Sequence, residues 1–200
     1  MQNLYLDLDD TFVDTEVYIR AILKNNLIPY KSNNSVYGMR CIPVYSDIMR
    51  DVFKNYSVIP LKEDAEECLK LLSTEYNVIF CSSYITDEEG ESKKRFAELY
   101  KKDIILCGGI NWDKSRVDMS GGIMVDDAPE ALSKSNATTK IQVANPYKAY
   151  GLKYADYLRG DVFVENLSQV VEYLMGGEAL YGSSKLRGDI CKRVQECCKC

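Results

Sequence analysis

Three carboxylates follow directly after the first apolar run of the sequence. The segment LYLDLDDTFVD, residues 4–14, places Asp7, Asp9 and Asp10 behind Leu4-Tyr5-Leu6, and Thr11 comes next. A short apolar run of this kind predicts a buried strand. Carboxylates gathered at one sheet edge repel one another, so either a cation lies among them or one of them takes up a proton.

Two later apolar runs also end in polar residues. NVIFCSS (77–83) ends in Ser82 and Ser83, and GGIMVDD (121–127) ends in Asp126 and Asp127. Further strands are predicted at 103–107, 139–144 and 161–164, and helices at 14–28, 45–55, 61–76, 89–102 and 166–175. This alternation predicts an α/β fold, a three-layer, doubly wound (Rossmann-like) parallel sheet. In such sheets the ligand site lies beyond the carboxyl ends of the strands, where these polar residues would meet.

Oxygen ligands with open coordination positions favour Mg²⁺, which also takes phosphate oxygens as partners. A site of this kind needs a positive residue and a hydroxyl donor for the other phosphate oxygens. Lys114 in WDKSRVD and Ser82 fit that need.

The order of these residues resembles the four motifs of the haloacid dehalogenase-like superfamily. Asp7-x-Asp9-x-Thr11 after a strand, Ser82 after a second strand, Lys114 between strands and Asp126-Asp127 after a later strand match in order, type and context. The match covers roughly residues 1–145. It implies a Mg²⁺-dependent phosphatase.

A narrower resemblance is to the 5′(3′)-deoxyribonucleotidase family. VIFCSSY, WDKSRV and IMVDDAPEAL resemble that family's segments, in which the lysine and the paired aspartates also lie close together. The family's usual Gly-Val after the second aspartate is replaced by Asp10-Thr11. The resemblance implies a (deoxy)nucleoside 5′-monophosphate as substrate.

The superfamily resemblance also implies roles for the residues of the first motif. Asp7 is the implied nucleophile, which attacks phosphorus and forms an aspartyl-phosphate. Asp9 is the implied general acid and base, and its main-chain carbonyl an implied metal ligand. Thr11 is expected to bind phosphate and to steady the Asp9 carboxylate. A cap of the following helix is the alternative, and the two roles are compatible. Asp10 is expected to cap a helix or to face solvent.

The later motifs imply a phosphate-binding and metal-binding set. Ser82 or Ser83 and Lys114 are expected to hold phosphate oxygens. Asp126 is the implied metal ligand together with Asp7, and Asp127 binds metal-bound waters or orients Lys114.

A long insert separates the first two motifs. The segment between Asp9 and Ser82 is more than twice as long as the roughly 30 residues of a direct β-α-β crossover. Residues 15–60 are therefore predicted to form a small helical cap. Its aromatic residues either stack on a nucleobase or form the core of the cap, and Lys31 and Arg40 are alternative ligand contacts. These aromatic residues are Tyr18, Tyr30, Tyr37, Tyr45, Phe53 and Tyr56.

Composition excludes several classes of protein. The 200 residues carry a formal net charge of −5, which gives no general attraction to nucleic acid or to anionic membranes. The absence of histidine excludes Ser-His-Asp and Cys-His catalysis and His-bound zinc. No apolar run is long enough to span a bilayer and no signal peptide is evident, so a cytoplasmic protein is expected, with a homodimer left open.

Residues 1–176 are predicted to form the phosphatase domain, and residues 177–200 a basic tail rich in cysteine. The tail ends in CKRVQECCKC, whose spacing is not that of a known zinc site. A flexible or helical arm with reduced thiols is favoured there.

Three functions are therefore considered. The first is a Mg²⁺-dependent phosphohydrolase for nucleotides, or for another small ester or a polynucleotide 3′-phosphate. The second is a receiver-like phosphoacceptor domain, which has a similar residue set but needs no insert. The third is a scaffold without catalysis, which the intact motifs disfavour.

Overall fold

The computed structural model describes residues 1–30, 43–108, 114–145 and 159–176. Strands alternate with helices along the chain, as the apolar periodicity predicted, and most bounds lie within a few residues of the expected ones. The strands are β1 (Gln2–Leu6), β2 (Tyr76–Tyr84), β3 (Ile104–Gly108), β4 (Ile123–Asp126), β5 (Thr139–Val143) and β6 (Val162–Val164). The helices are α1 (Thr15–Asn25), α2 (Pro43–Lys54), α3 (Ala65–Glu75), α4 (Asp87–Leu99), α5 (Pro129–Lys134) and α6 (Leu167–Leu174).

The six strands form one parallel sheet in the order β3-β2-β1-β4-β5-β6. The order reverses direction at β1, whose neighbours are β2 and β4. This is the doubly wound arrangement, and it confirms the predicted α/β fold class. A crevice for ligands is expected at such a reversal, outside the carboxyl end of β1.

Both faces of the sheet are covered, because successive side chains of a strand point to opposite faces. Leu4 and Leu6 of β1 belong to a core cluster that includes residues of α1, α3, α4 and α6. Tyr5 between them belongs to a second cluster with Met124 of β4 and Leu132 of α5. The sheet is therefore the middle of three layers.

Four aromatic rings pack directly beneath the acidic segment. Phe12, just after that segment, lies with its ring centroid 5.2 Å from that of Phe80 on β2 and 5.4 Å from that of Tyr100. Phe96 of α4 lies 5.1 Å from Tyr100. Phe12 thus anchors the loop that follows Asp7 to the core.

The chain leaves the core after β1 and returns before α3 at adjacent points. Val13 and Leu61 form an antiparallel bridge, and the Asp14 amide donates to the Pro60 carbonyl at 2.7 Å. Lys62 Nζ lies 2.7 Å from Asp14 Oδ1. The described part of residues 15–60 contains α1, α2 and a short 3₁₀ turn, Tyr56–Val58. That this segment acts as a cap stays a prediction.

Within the described residues, no helix is long and apolar enough to cross a membrane. The predicted tail, residues 177–200, lies outside the described residues, as do residues 31–42 of the predicted cap.

Replacing Phe80 with alanine should lower the free energy of unfolding by about 3–5 kcal/mol, because it removes a fully buried ring from the aromatic cluster. Urea denaturation measures the change. The matched control is Leu99→Ala, whose side chain is 69% exposed and should change stability by less than about 0.5 kcal/mol. Equal losses in the two variants would contradict the core assignment.

Candidate active site

The polar ends of three neighbouring strands lie at the carboxyl edge of the sheet. Because β1 lies between β2 and β4, Asp7 after β1 is flanked by Ser82 and Ser83 of β2 and by Asp126 of β4. The Asp7 amide donates to the Val125 carbonyl at 2.9 Å, which continues the pairing of the two strands past the end of β1. All of these residues are buried. The sheet therefore supplies carboxylates and hydroxyls to one enclosed edge.

Lys114 joins two of these strand ends. It begins a 3₁₀ turn, Lys114–Arg116, before β4, and its Nζ donates to Asp7 Oδ1 and to Asp126 Oδ2, each at 2.6 Å. The side chain is only 2% exposed. Burial alone would lower the pKa of Lys114, but Asp126 and Asp7 overcome this and raise it well above its usual value. Lys114 is therefore a fixed positive charge between two carboxylates.

One lysine does not balance the negative charge at this point. Carboxylate oxygens of Asp7, Asp126 and Asp127 all lie within 4.8 Å of one another. Burial raises the pKa of Asp7 well above its usual value; Lys114 opposes this, while Asp126, Asp127 and Asp9 raise the pKa further. The three carboxylates and Lys114 together leave a formal charge of −2. A divalent cation would balance that charge and keep Asp7 ionised.

The donor set suits a hard cation such as Mg²⁺, because all three side chains offer oxygen. Two of them are held in place by hydrogen bonds. The Ala128 amide donates to Asp126 Oδ1 at 2.7 Å, and Asn145 Nδ2 donates to Asp127 Oδ2 at 2.6 Å. Asn145 was not predicted from the sequence; it follows β5 at the same edge, which was the available signal.

Asp9 lies in a second cluster, apart from Lys114. Its Oδ1 accepts from the Tyr56 hydroxyl at 2.7 Å and from Thr15 Oγ1 at 3.0 Å. Its Oδ2 accepts from Lys93 Nζ at 2.6 Å and from Ser82 Oγ at 3.4 Å. The first two donors border or belong to the insert, and the others lie on α4 and β2. The carboxylate is thus held from both sides.

Lys93 is the main site residue that sequence reasoning missed. The sequence predicts only a helix at 89–102, rich in charged residues, and does not distinguish Lys93 within it, yet its side chain is 0% exposed. It also forms an ion pair with Glu89 Oε1 at 3.0 Å, one turn earlier on α4. A signal did exist, because Glu89, Lys93 and Phe96 follow the i, i+4, i+7 spacing of a single helix face. A charged pair on the face that carries Phe96 is a buried pair.

Solved structures share this architecture. A protein from Burkholderia xenovorans described as a haloacid dehalogenase-like hydrolase matches with a TM-score of 0.59 at 14% identity, covering 89% of this chain and 97% of that one. A haloacid dehalogenase-like family hydrolase from Streptococcus pneumoniae matches with a TM-score of 0.56 at 15% identity, covering 86% of this chain and 98% of that one. The HAD-hydrolase YfnB from Bacillus subtilis, bound to magnesium, matches with a TM-score of 0.53 at 10% identity, covering 86% of this chain and 98% of that one.

This chain has the haloacid dehalogenase-like fold. The likeness lies in the structure, since no family model matches the sequence and no curated protein matches it significantly.

The two serines of this haloacid dehalogenase-like fold differ in their surroundings. Ser82 Oγ lies 3.1 Å from Lys93 Nζ and 3.4 Å from Asp9 Oδ2. Ser83 Oγ is buried and has no hydrogen-bond partner among the described residues. Ser83 is therefore the one whose hydroxyl is available to a ligand, whereas the sequence pattern favoured Ser82. Both stay predicted phosphate-binding residues.

Thr11 differs from expectation, whereas Asp10 caps the first turn of α1, which is one of the two roles expected of it. Thr11 Oγ1 has no hydrogen-bond partner within the described part of the chain. The threonine hydroxyl that contacts Asp9 is that of Thr15, four residues later. Thr11 also precedes α1 by four residues, so it is not the cap of that helix. Asp10 does not face solvent: it is 1% exposed, and its Oδ1 accepts from the Glu16 amide in the first turn of α1 at 2.6 Å.

The aromatic residues of the insert divide into two groups. Phe53 and Tyr56 are buried and belong to the core, so neither presents a ring to a nucleobase. Tyr18 and Tyr30 are half-buried against the same core. Lys31, Tyr37 and Arg40 lie outside the described residues, and Tyr45 lies on α2.

Adding Mg²⁺ should raise the melting temperature. A ligand at about 100 times its Kd stabilises the folded state by about 2.7 kcal/mol, and a chain of this size gains about 2–4 °C per kcal/mol. The shift should grow as the pH is raised, because a proton on Asp7, whose pKa is raised, competes with the cation. Differential scanning fluorimetry with and without MgCl₂ at several pH values measures it.

Asp126→Asn should remove most of this shift, since it removes one carboxylate from the cluster. The matched control is Asp103→Asn, which changes an exposed carboxylate just before β3, at the opposite edge of the sheet. A shift of the same size in both variants would mean that the ion binds elsewhere.

Proposed function

We propose that this chain is a Mg²⁺-dependent phosphomonoester hydrolase that acts through an aspartyl-phosphate on Asp7. The strongest support is the arrangement in which Lys114 Nζ lies 2.6 Å from both Asp7 and Asp126, with Asp127 close by. It joins a carboxylate nucleophile, a positive charge and a set of oxygen ligands at one buried edge. The fold is shared with proteins described as hydrolases.

In the first step an oxygen of Asp7 attacks phosphorus in line with the ester oxygen. The new bond from Asp7 to phosphorus forms as the bond to the ester oxygen breaks, and Asp9 gives its proton to the leaving alkoxide. Lys114 remains beside Asp7 and offers positive charge to the phosphoryl oxygens. The buried Ser83 hydroxyl is available to donate to one of those oxygens.

In the second step water attacks the same phosphorus atom. Asp9, now ionised, takes a proton from that water, the bond between phosphorus and Asp7 breaks, and inorganic phosphate leaves. Asp7 returns as a carboxylate and Asp9 as an acid. Asp7, Asp126 and Asp127 would hold Mg²⁺, which supplies charge neutralisation for the carboxylates and the phosphoryl group when bound. The magnesium reported with the YfnB structure supports this assignment.

The proposed substrate class is the (deoxy)nucleoside 5′-monophosphates. Support comes from the resemblance of VIFCSSY, WDKSRV and IMVDDAPEAL to 5′(3′)-deoxyribonucleotidases. The partners proposed are therefore small phosphoesters, and no stable nucleic-acid partner is expected. The half-buried Tyr18 and Tyr30 are the aromatic candidates for contact with a base.

Incubation of the protein with Mg²⁺ and a panel of phosphoesters tests this function by release of inorganic phosphate. The panel contains nucleoside 5′-monophosphates, sugar phosphates and an oligonucleotide 3′-phosphate. We expect multiple turnovers, fastest with nucleotides, and loss of activity when EDTA removes the cation. Turnover of other esters alone would overturn the nucleotide assignment. A stable stoichiometric adduct without turnover would instead indicate a phosphoacceptor domain.

Asp7→Asn should lower turnover by more than about 10⁴-fold, because it removes the nucleophile with little change in shape. Asp103→Asn is again the control and should retain full activity. Retained turnover in Asp7→Asn would end the assignment of Asp7 as nucleophile.

A further inference from the structure

A buried ammonium group lies beside the proposed general acid and base. Lys93 is on α4, outside the residues of the four motifs, and its side chain is 0% exposed. A buried charge is tolerated when it is paired and its N–H groups are satisfied. The partners of Lys93 therefore indicate which groups its ammonium positions.

Lys93 Nζ is surrounded by oxygen acceptors. It donates to Asp9 Oδ2 and to the Ser83 carbonyl, each at 2.6 Å, and to Ser82 Oγ at 3.1 Å. Glu89 Oε1 lies 3.0 Å away and supplies a second negative charge. The contacts with Ser82, the Ser83 carbonyl and Glu89 hold the ammonium group against the end of β2 and its own helix, in addition to its contact with Asp9.

Two aromatic rings of the insert cover the same group. Nζ lies 5.1 Å from the ring centroid of Tyr56 and 5.9 Å from that of Phe53. The Tyr56 hydroxyl reaches past it to Asp9 Oδ1 at 2.7 Å, and the Tyr56 amide donates to Ser92 Oγ of α4 at 2.7 Å. Lys93 therefore lies where α4, the insert and Asp9 meet.

The Asp9 carboxylate is held by residues from several other elements. Asp9 lies three residues beyond the end of β1, and its carboxylate accepts hydrogen bonds from Lys93, Tyr56, Thr15 and Ser82. Lys93 is the one charged donor among these. A carboxylate that must give and take a proton at a defined place depends on such contacts, since an error of about 1 Å can cost about 10²-fold in rate.

We propose that Lys93 is a positioning residue for the phosphohydrolase reaction, which acts by holding Asp9 Oδ2 in the geometry needed for proton transfer. This inference rests on the proposed function. It differs from a phosphate-binding role, in which Lys93 would act on every ester equally. It also differs from a purely structural role, in which its loss would affect folding but not the step that depends on Asp9.

The test compares two esters with Lys93→Met, which keeps the length of the side chain and removes the charge. One ester is the nucleotide that the wild type hydrolyses fastest, whose alkoxide needs a proton to leave. The other is p-nitrophenyl phosphate, whose phenolate leaves without one. We expect kcat for formation of the phosphoenzyme to fall by about 10²-fold with the nucleotide and by much less with p-nitrophenyl phosphate, with KM little changed.

A double-mutant cycle identifies the group through which Lys93 acts. In an Asp9→Asn background, Lys93→Met should cause no further loss of the phosphorylation rate. Lys94→Met is the matched control, since it removes the same charge one residue later from a side chain that is 51% exposed, and it should retain wild-type rates. Lys93→Gln, a smaller polar replacement, is measured alongside, and melting curves confirm that each variant is folded.

Additive losses in the cycle, or equal losses with both esters, would overturn the proposal in favour of a structural role. A raised KM with unchanged kcat would indicate phosphate binding instead. Unchanged rates in both Lys93 variants would also contradict it while leaving the proposed function intact. Failure of the wild type to hydrolyse either ester would overturn the proposed function, and this inference with it.

Discussion

Burial of like charge at one sheet edge is the constraint on which the rest of the site depends. Asp7, Asp9, Asp126 and Asp127 are all buried there, and the free energy of taking four carboxylates out of water is tolerable only if positive charge comes with them. Lys114 and Lys93 supply part of it. Because each ammonium group bridges oxygens from different segments of the chain, it also holds those segments together at this edge.

The two lysines contact carboxylates with different proposed roles. Lys114 joins Asp7 to Asp126, and the remaining charge of that cluster favours a divalent cation. Lys93 joins Asp9 to α4 and to the insert. The carboxylate proposed to attack phosphorus and the one proposed to move protons therefore have separate partners, although they are two residues apart in sequence. Separate environments are how neighbouring carboxylates take different roles.

Much of the fold followed from the sequence because apolar periodicity is a local property. NVIFCSS lies within β2 and the IMVD of GGIMVDD forms β4, because a run of apolar residues suits a central parallel strand that is covered on both faces. Helix α3 appeared near the predicted place because Ala65, Cys68 and Leu72 share one face. The site was harder. Its motif residues could be named from their order, but tertiary packing decides which threonine hydroxyl contacts Asp9. It brings Thr15 to the carboxylate, whereas Thr11 Oγ1 has no hydrogen-bond partner among the described residues.

The burial of Lys93 likewise depends on tertiary packing and does not follow from its local sequence. The segment DEEGESKKRFAEL is so rich in charge that composition indicates a solvated helix, and two adjacent lysines look equivalent. A rotation of about 100° per residue separates them: Lys94 pairs with exposed Glu91, whereas Lys93 points toward Asp9. The burial of one lysine and not the other depends on the Asp9 carboxylate, in the loop after β1, and on rings from the insert, all of which are distant from Lys93 in sequence. The buried face of this helix can be identified only once the carboxylate that Lys93 contacts is known. For that reason the role of Lys93 follows from its contact with the proposed acid and base and not from the sequence of its own helix.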